Sequence, residues 1–411
     1  MVMAFIMLDR RTSLPAHARE IGIMVTRVTR LRHIPGIGVD RVGDAADAAH
    51  DPELLRLENL DTDIRPPAVA LAATRAAIDD DAANSYLPFH GSARLRAAVA
   101  AHVGRIAGRA YDPDTEVVNA AGGLNGVLDV LLATVEPGRE VVIADPIYAG
   151  LVNRIRLAGG VPRHVPCTPS TAGWHTDPDE LAAAVGPNTA AVLVMAPAMP
   201  TGALLDAGHW DALARAVAEH DCWVIHDAAM ERIRFDGRAP EHPAAHPGLA
   251  HRTVTCGTAS KELRMIGWRV GWVVGPAELM ADVKLVGLSN VVCPVGIAQE
   301  AVAAALSAPD ADADVAAATA IWRGRCATIL DRLADYPCIP PHGGWSLLID
   351  TAAMGLPPEV AAERLFRLGR VAATPMNGWG PAGDTYLRLV FANEPAERLD
   401  DLRTRFVAAF G

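Results

Sequence analysis

The segment around Lys261 is the part of this 411-residue sequence whose residue types and spacing point most directly to chemistry. From Thr258 to Arg269 it reads Thr-Ala-Ser-Lys-Glu-Leu-Arg-Met-Ile-Gly-Trp-Arg. A lone lysine is usually a solvated surface charge. Here hydroxyl groups precede the amine and an arginine follows it, so the amine can condense with an aldehyde. Thr258 and Arg269 can supply hydrogen-bond donors to a phosphate dianion.

A glycine-rich segment at residues 119–126 reads Asn-Ala-Ala-Gly-Gly-Leu-Asn-Gly and precedes a helical pattern. Because glycine has no side chain, the backbone N–H groups of such a segment can approach an anion at the N-terminus of the next helix. The same pattern is typical of a simple glycine turn. The segment by itself leaves both interpretations open.

Two further candidates follow apolar runs of the sequence. Asp227 ends the run Trp-Val-Ile-His-Asp, and Tyr148 comes shortly after the run that ends at Asp145. A carboxylate keeps a neighbouring heteroaromatic nitrogen protonated, although an aspartate after a strand is often only a helix N-cap. A tyrosine can pack in the core or stack on a flat ligand. The position of Tyr148 at the end of a strand favours the second interpretation.

The elements that must position these residues follow an alternating pattern between about Leu95 and Pro276. Short apolar runs alternate with helical patterns, which predicts crossover units and a mostly parallel sheet. The clearest runs cover residues 141–144, 191–195, 223–226 and 270–274. Ligands of open α/β sheets bind outside the carboxyl ends of the strands, so we expect the candidates to meet there. Beyond residue 298, helices and two strands predict a smaller α+β domain.

Composition narrows the classes of function. The formal charge of −11 gives no support for a nucleic-acid partner, which requires clustered Lys and Arg, so a small-molecule partner is expected. No apolar stretch approaches the ~20 residues that span a bilayer, and the N-terminus lacks a signal peptide. We therefore expect no membrane partner and a cytoplasmic location. The six cysteines show neither a CxxC pair nor metal-ligand spacing, which predicts free thiols and no metal site.

Taken in order, these segments resemble the class I and II aminotransferases, the aspartate-aminotransferase-like enzymes of fold type I. The resemblance covers residues from about Leu60 to Gly411. In that family the lysine forms a Schiff base with pyridoxal 5′-phosphate (PLP), and Lys261 is the matching position. Two more segments match the family: Tyr86 with the Gly and Leu-Arg that follow it, and Tyr-Leu-Arg-Leu around Arg388.

The resemblance implies a role for each matched residue. Asp227 would pair with the pyridine nitrogen, Tyr148 would stack on the pyridine ring, and Arg388 would hold the substrate α-carboxylate with its planar fork. Tyr86 would reach the phosphate in a neighbouring subunit, which implies a homodimer with shared active sites. The implied phosphate-binding groups are Thr258, Arg269 and the backbone amides of Gly122, Gly123 and Leu124.

The implied fold is α/β: a large domain with a mostly parallel seven-stranded sheet, plus a smaller α+β domain. We predict four segments. They are an N-terminal arm at residues 1–58, in part disordered, a small-domain and dimer-contact segment at 59–95, the PLP-binding domain at 96–297 and the C-terminal small domain at 298–411.

Two departures from the family concern the phenolic oxygen of the cofactor. Met199 stands where the family has the asparagine of Asn-Pro-Thr-Gly, and Met230 stands where it has a tyrosine. A thioether donates no hydrogen bond. We therefore expect either a more basic imine or replacement donors at these cofactor-binding positions.

A third departure lies beneath the ring aspartate, where the aspartate enzyme has a histidine. Here that position is Leu151, and His226 and His90 are the candidates to replace it. A histidine beside a strand is nevertheless more often structural than catalytic.

The resemblance implies transfer of an amino group from an α-amino acid to a 2-oxo acid, through a carbanionic, quinonoid intermediate. Lys261 would also move the proton between the α-carbon and the cofactor. Because one PLP scaffold hosts several reactions, the two methionines keep an alternative open: elimination, replacement, oxidation or carbon–carbon bond-forming annulation in specialised metabolism. A PLP-binding transcription regulator is disfavoured by the short leading segment and the acidic charge. Lys284 is a poor partner for a distal carboxylate, so a dicarboxylic substrate is not favoured.

Overall fold

A computed structural model describes residues 28–34 and 36–411 of the chain. The part of the predicted N-terminal arm before residue 28, with its predicted partial disorder, lies outside the described residues. The described part of the arm contains two helices, Thr29–Arg32 (α1) and Val39–Ala49 (α2).

The remaining elements alternate as the sequence predicts. The other helices are Ala68–Ile78 (α3), Ala93–Ala107 (α4), Gly123–Thr134 (α5), Ala149–Leu157 (α6), Pro178–Ala183 (α7), Ala207–Glu219 (α8), Ala277–Asn290 (α9), Gly296–Leu306 (α10), Ala311–Arg332 (α11), Pro358–Arg364 (α12) and Leu402–Phe410 (α13). The strands are Leu55–Arg56 (β1), Val117–Ala120 (β2), Glu140–Asp145 (β3), Val161–Ser170 (β4), Gly173–Thr176 (β5), Thr189–Met195 (β6), Trp223–Asp227 (β7), Thr253–Thr258 (β8), Gly271–Val274 (β9), Cys338–Ile339 (β10), Ser346–Asp350 (β11), Val371–Ala372 (β12), Thr374–Pro375 (β13) and Tyr386–Val390 (β14).

The large sheet has the strand order β2-β9-β8-β7-β6-β3-β4-β5. The pairs from β8 through β7, β6 and β3 to β4 are parallel, which confirms the predicted mostly parallel sheet. The four strands named from the sequence are β3, β6, β7 and β9. The sheet has eight strands, one more than the seven that the resemblance implies, and the short strand β5 extends its edge through an antiparallel hairpin with β4. Every residue of β6 and β8 is buried, because helices cover both faces of the sheet.

The register brings the ends of several strands to one edge of this sheet. Asp227 at the end of β7 pairs with Cys256 of β8. Strand β9 runs antiparallel to its neighbours, so its first residue, Gly271, pairs with both Thr258 and Ala120. The segments after β7 and β8, the segment before β9 and the glycine turn after β2 therefore meet at the carboxyl edge.

A second, antiparallel sheet has the order β10-β11-β14-β13, and the two-residue strands β1 and β12 pair in parallel nearby. Arg388 lies in β14, where it pairs with Leu348 of β11 and Thr374 of β13. Aromatic and aliphatic side chains from this sheet, α11 and α13 form one buried cluster. This is the predicted smaller α+β unit, and the exact domain boundaries stay a prediction.

Two properties predicted from composition can be compared with the structure. None of the six cysteines, all of which lie in the described part of the chain, forms a disulfide. Within residues 28–34 and 36–411, no helix combines the length and the apolar character needed to span a bilayer.

Candidate active site

Lys261 lies three residues after the end of β8, at the carboxyl edge of the large sheet. Its Nζ donates to the backbone oxygen of Leu60 at 3.0 Å and lies 4.7 Å from the centre of the Trp345 ring. Loss of hydration lowers the pKa of this amine to about 7, and two nearby arginines act in the same direction. A substantial fraction of the amine is therefore neutral and nucleophilic near pH 7.

Asp227 is buried at the end of β7. Its Oδ1 accepts a hydrogen bond from the backbone N–H of Ala229 at 3.1 Å. Desolvation raises the pKa of Asp227 to about 6, while the charges of Arg154 and Lys261 act to lower it. A cationic N–H partner would stabilise the ionised form of such a carboxylate, so the position fits a pyridinium nitrogen.

The candidate replacement His226 faces the opposite side of β7. Its ring packs edge-on against His242 at 4.8 Å, and Glu231 completes a buried group whose potential ligand atoms lie within 4.8 Å of one another. The Nδ1 of His242, however, accepts from the backbone of Ala244, and its Nε2 contacts the hydroxyl of Thr255, both at 3.1 Å. With both ring nitrogens engaged, His242 is a satisfied core histidine, and we assign no metal to this group.

Arg154 is the basic group of helix α6 that acts on Asp227, and sequence reasoning missed it. Its Nε donates to the backbone oxygen of Leu124 and its Nη1 to that of Gly150, both at 2.8 Å. Arg154 lies three residues after Leu151, which is one helical turn, so the two share a helix face. The spacing between Leu151 and Arg154 is therefore the feature of the sequence that could have identified Arg154.

A potential anion-binding site lies at the start of α5; we call this site, formed by Gly122, Thr258 and Arg269, the cradle. Gly122 has φ +93°, and a Cβ on it would overlap the guanidinium of Arg269. A Cβ on Gly123 would lie 3.1 Å from the Cβ of Thr258. The Nη1 of Arg269 donates to Ser260 Oγ at 3.3 Å, and Ser260 is a further hydroxyl that the sequence analysis did not assign. Together with the unpaired N–H groups of the helix N-terminus, this donor set fits a phosphate dianion.

We expect Gly122→Ala to weaken PLP binding by at least about tenfold, which corresponds to ~1.4 kcal/mol. The added methyl group displaces the Arg269 guanidinium from the cradle. The measurement is the dissociation constant of PLP for the apoenzyme. Gly138→Ala is the matched control, since Gly138 has a similar φ of +86° but open space around its Cβ. Equal affinity losses in the two variants would mean that backbone strain alone, and not the cradle, is responsible.

Arg388 is fully buried, and two of its guanidinium nitrogens have no hydrogen-bond partner. Its Nη2 donates to the backbone oxygen of Glu58 at 2.6 Å and to Thr374 Oγ1 at 3.2 Å, whereas Nε and Nη1 are unpaired. Burial lowers the pKa of Arg388 to about 10, so the group is still cationic at neutral pH. An anionic ligand such as a carboxylate would satisfy the free donors.

Two aromatic side chains, Trp379 and Tyr148, connect Arg388 with the large sheet. The guanidinium carbon of Arg388 lies 4.8 Å from the centre of the Trp379 ring, and Trp379 packs edge-on against Tyr148 at 5.3 Å. The backbone N–H of Tyr148 donates to the backbone oxygen of Met199 at 3.0 Å, which fixes the start of α6. Sequence reasoning identified Tyr148 but missed Trp379.

The two methionine positions and Tyr86 differ in their surroundings. Met199 and Met230 are buried in the apolar cluster of the smaller sheet. A Cβ on Gly344 would lie 3.6 Å from the sulfur of Met230. Tyr86 stands apart from this buried group, because its side chain is 81% exposed in the single chain.

The fold and the site define a PLP-dependent transferase of fold type I: a mostly parallel sheet with a lysine after β8 and a buried aspartate at the end of β7. The family model described as aminotransferase class I and II matches residues 56–406, and the chain belongs to that family. PLP is accordingly its cofactor.

Similar proteins agree with this assignment. The chain is 34% identical over 352 residues to the arginine–pyruvate transaminase of Pseudomonas aeruginosa, covering 84% of this chain and 87% of that one. The solved structure of N-succinyldiaminopimelate aminotransferase from Mycobacterium tuberculosis superposes with a TM-score of 0.86 at 31% identity, covering 93% and 100% of the two chains. Aspartate aminotransferase from Thermus thermophilus gives a TM-score of 0.85 at 27% identity, with 93% and 99% covered.

Proposed function

We propose that the protein transfers the amino group of an α-amino acid to a 2-oxo acid, with Lys261, Asp227 and Tyr148 as its catalytic residues. The observation that carries this proposal is the buried Arg388, which has two unpaired nitrogens and lies near enough to Lys261 to lower its pKa. A carboxylate recogniser beside a nucleophilic amine matches the two functional groups of an α-amino acid.

The described residues fit the cofactor at three points. The cradle formed by Gly122, Thr258 and Arg269 would hold its phosphate, Asp227 would pair with its ring nitrogen and Tyr148 would stack on its ring. When bound, PLP supplies an aldehyde for exchange with the substrate amine and an electron-withdrawing ring that acidifies the substrate α-carbon.

The residues around the α-carbon then have separate tasks. Lys261 is the group that moves the α-proton, because an amine of pKa about 7 exists in both protonation states near neutral pH. Arg388 orients the substrate through its carboxylate. The Trp345 ring lies 4.7 Å from the Nζ of Lys261, and the Trp379 ring lies 4.8 Å from the guanidinium carbon of Arg388, so each cation has an aromatic ring beside it.

We also propose that the protein forms a homodimer in which Tyr86 completes the partner's phosphate site. The support is the exposure of Tyr86 and of the nearby Phe89, which are 81% and 51% exposed in the single chain. Exposed aromatic side chains are enriched at protein–protein contacts.

The side chain of the substrate is only partly constrained. Lys284, the candidate partner for a distal carboxylate, donates its Nζ to the backbone oxygen of Asp114 at 3.0 Å. That contact holds Lys284 at Asp114, which favours a substrate whose side chain is not acidic. The named relatives act on arginine, N-succinyldiaminopimelate and aspartate, so their names do not decide among side chains.

A second candidate is PLP chemistry other than transamination on an amino-acid-derived substrate, by elimination, replacement, oxidation or annulation. It is favoured by one observation: Met199 and Met230 place thioethers in an apolar cluster where the family has hydrogen-bond donors.

The experiment that separates the two candidates is a panel of ¹⁵N-labelled amino acids, each incubated with the holoenzyme and pyruvate or 2-oxoglutarate. Transamination puts the label into alanine or glutamate and releases one equivalent of the new 2-oxo acid. Release of labelled ammonia without labelled alanine or glutamate would contradict the proposal and support the second candidate. Aspartate and glutamate are expected to be the poorer donors in the panel.

A further inference from the structure

The phenolic oxygen of the bound cofactor has lost both of the hydrogen-bond donors that the family places there. Met199 and Met230 fill these two positions, and both side chains are buried among apolar groups. A thioether cannot donate, so an anionic oxygen beside them would lack stabilisation. Another donor near Lys261 is therefore required if the oxygen is to be stabilised as a phenolate.

Trp345 is a buried donor without an acceptor. Its side chain is 1% exposed, and its Nε1 has no hydrogen-bond partner. An indole N–H can only donate, and a buried donor without a partner is destabilising. The neighbouring Trp322, which packs edge-on against Trp345 at 5.0 Å, differs in this respect, since its Nε1 donates to Thr62 Oγ1 at 3.2 Å.

The position of Trp345 links the lysine to the methionines. The Lys261 Nζ lies 4.7 Å from the centre of the indole ring. Gly344, the residue before Trp345, donates its backbone N–H to the backbone oxygen of Ile233 at 2.9 Å. A Cβ on Gly344 would lie 3.6 Å from the sulfur of Met230. The indole thus lies at the junction of the segments that carry Lys261 and Met230.

Other unpaired indole donors lie in different surroundings. Trp174 belongs to the same buried apolar cluster as Trp345 but packs edge-on against Tyr386, and Trp210 belongs to the apolar cluster beneath α8. Among the three buried indoles of the described residues whose N–H has no partner, Trp345 is the one that contacts Lys261.

We propose that Trp345 is a cofactor-binding residue whose indole N–H donates to the phenolic oxygen of PLP, in place of the missing asparagine and tyrosine. The inference rests on the proposed function in that Lys261 must carry the cofactor. It concerns a different property, however: the acidity of the lysine–cofactor imine. A donor to the phenolic oxygen stabilises the form in which the imine has lost its proton, and so lowers the pH at which that proton leaves.

The test is a pH titration of the visible absorbance of the holoenzyme. In Trp345→Phe, the midpoint is expected to rise by about one pH unit, because the donor is lost while the ring is kept. The midpoint of Trp345→His, which restores an N–H donor, is expected to lie between those of the wild-type protein and Trp345→Phe. Trp174→Phe is the matched control: it removes an unpaired indole N–H elsewhere and leaves the midpoint unchanged.

An unchanged midpoint in a Trp345→Phe protein that still binds PLP would overturn the inference. If that variant also transfers amino groups at the normal rate, the proposed function stands while the inference fails. If it does not fold, the wild-type protein with ¹⁵N-labelled tryptophan supplies the answer. One indole N–H resonance is expected to move downfield when the apoenzyme binds PLP, and not when it binds 3-deoxypyridoxal phosphate, which lacks the oxygen. The same spectrum with both cofactors would overturn the proposal.

Discussion

Lys261→Ala is expected to abolish amino transfer, with a fall in turnover of at least about 10⁴-fold, because one side chain supplies both the covalent link and the proton transfer. The amine lies at the carboxyl edge of the large sheet with a pKa of about 7. No other lysine is available to replace it, since the chain's next candidate, Lys284, is held by Asp114. The measurement is turnover with a saturating amino acid and acceptor, together with the visible absorbance of the purified protein.

Lys284→Ala is the matched control for this variant. Both lysines donate from Nζ to a backbone oxygen at 3.0 Å, of Leu60 and Asp114 respectively. The control is expected to keep the visible absorbance and the turnover. A Lys261→Ala protein with a visible band and wild-type turnover would show that the cofactor is held elsewhere.

Arg388→Met is expected to lower kcat/KM for α-amino acids by about 10²–10⁴-fold, since two charge-assisted hydrogen bonds of ~1.5–3 kcal/mol each are lost. The free Nε and Nη1 of Arg388 are the donors concerned. An amine of the same side chain without a carboxyl group is expected to lose far less. The measurement is the ratio of the two kcat/KM values in the wild-type and variant proteins.

Stability provides an independent readout for the same substitution. Arg388 is a buried cation with unpaired nitrogens, so its replacement by methionine is expected to preserve or raise the unfolding temperature. Arg325→Met is the control, because Arg325 is also buried but forms an ion pair with Asp63. It is expected to lower the unfolding temperature without changing the ratio between carboxyl-bearing and carboxyl-free amines. An unchanged ratio in Arg388→Met would contradict the assigned role.

The sequence predicted the parts of the site that depend on short segments. Asp227 is the last residue of a strand, and Lys261 and the glycine turn at Gly122 lie within three residues of a strand end; pairing of the strands brings these ends together. The alternation of apolar runs with helical patterns predicted the large sheet, because this alternation is also a property of short segments. The strands β2, β4, β5 and β8 were not named from the sequence; β4 and β5 pair as an antiparallel hairpin at the edge of the sheet, where β4 alternates exposed residues with buried ones.

The rest of the site depends on contacts between distant segments, which no local pattern encodes. Trp345 reaches Lys261, Trp379 packs against Tyr148, and the backbone oxygen of Leu60 accepts from Lys261, each across a large sequence separation. The position of His226, in contrast, could be predicted from a local pattern. Its alternation with Asp227 along β7 already placed the two side chains on opposite faces of the sheet.

The most direct test of the account is a single turnover of the holoenzyme with a ¹⁵N-labelled α-amino acid and no acceptor. The visible absorbance is followed, and the released cofactor and the organic product are analysed by mass spectrometry. An aminotransferase is expected to lose the visible band and to give pyridoxamine phosphate that carries the label and one equivalent of the matching 2-oxo acid. Lys261→Ala is expected to show none of these changes. Consumption of the amino acid with recovery of unlabelled PLP would contradict the account.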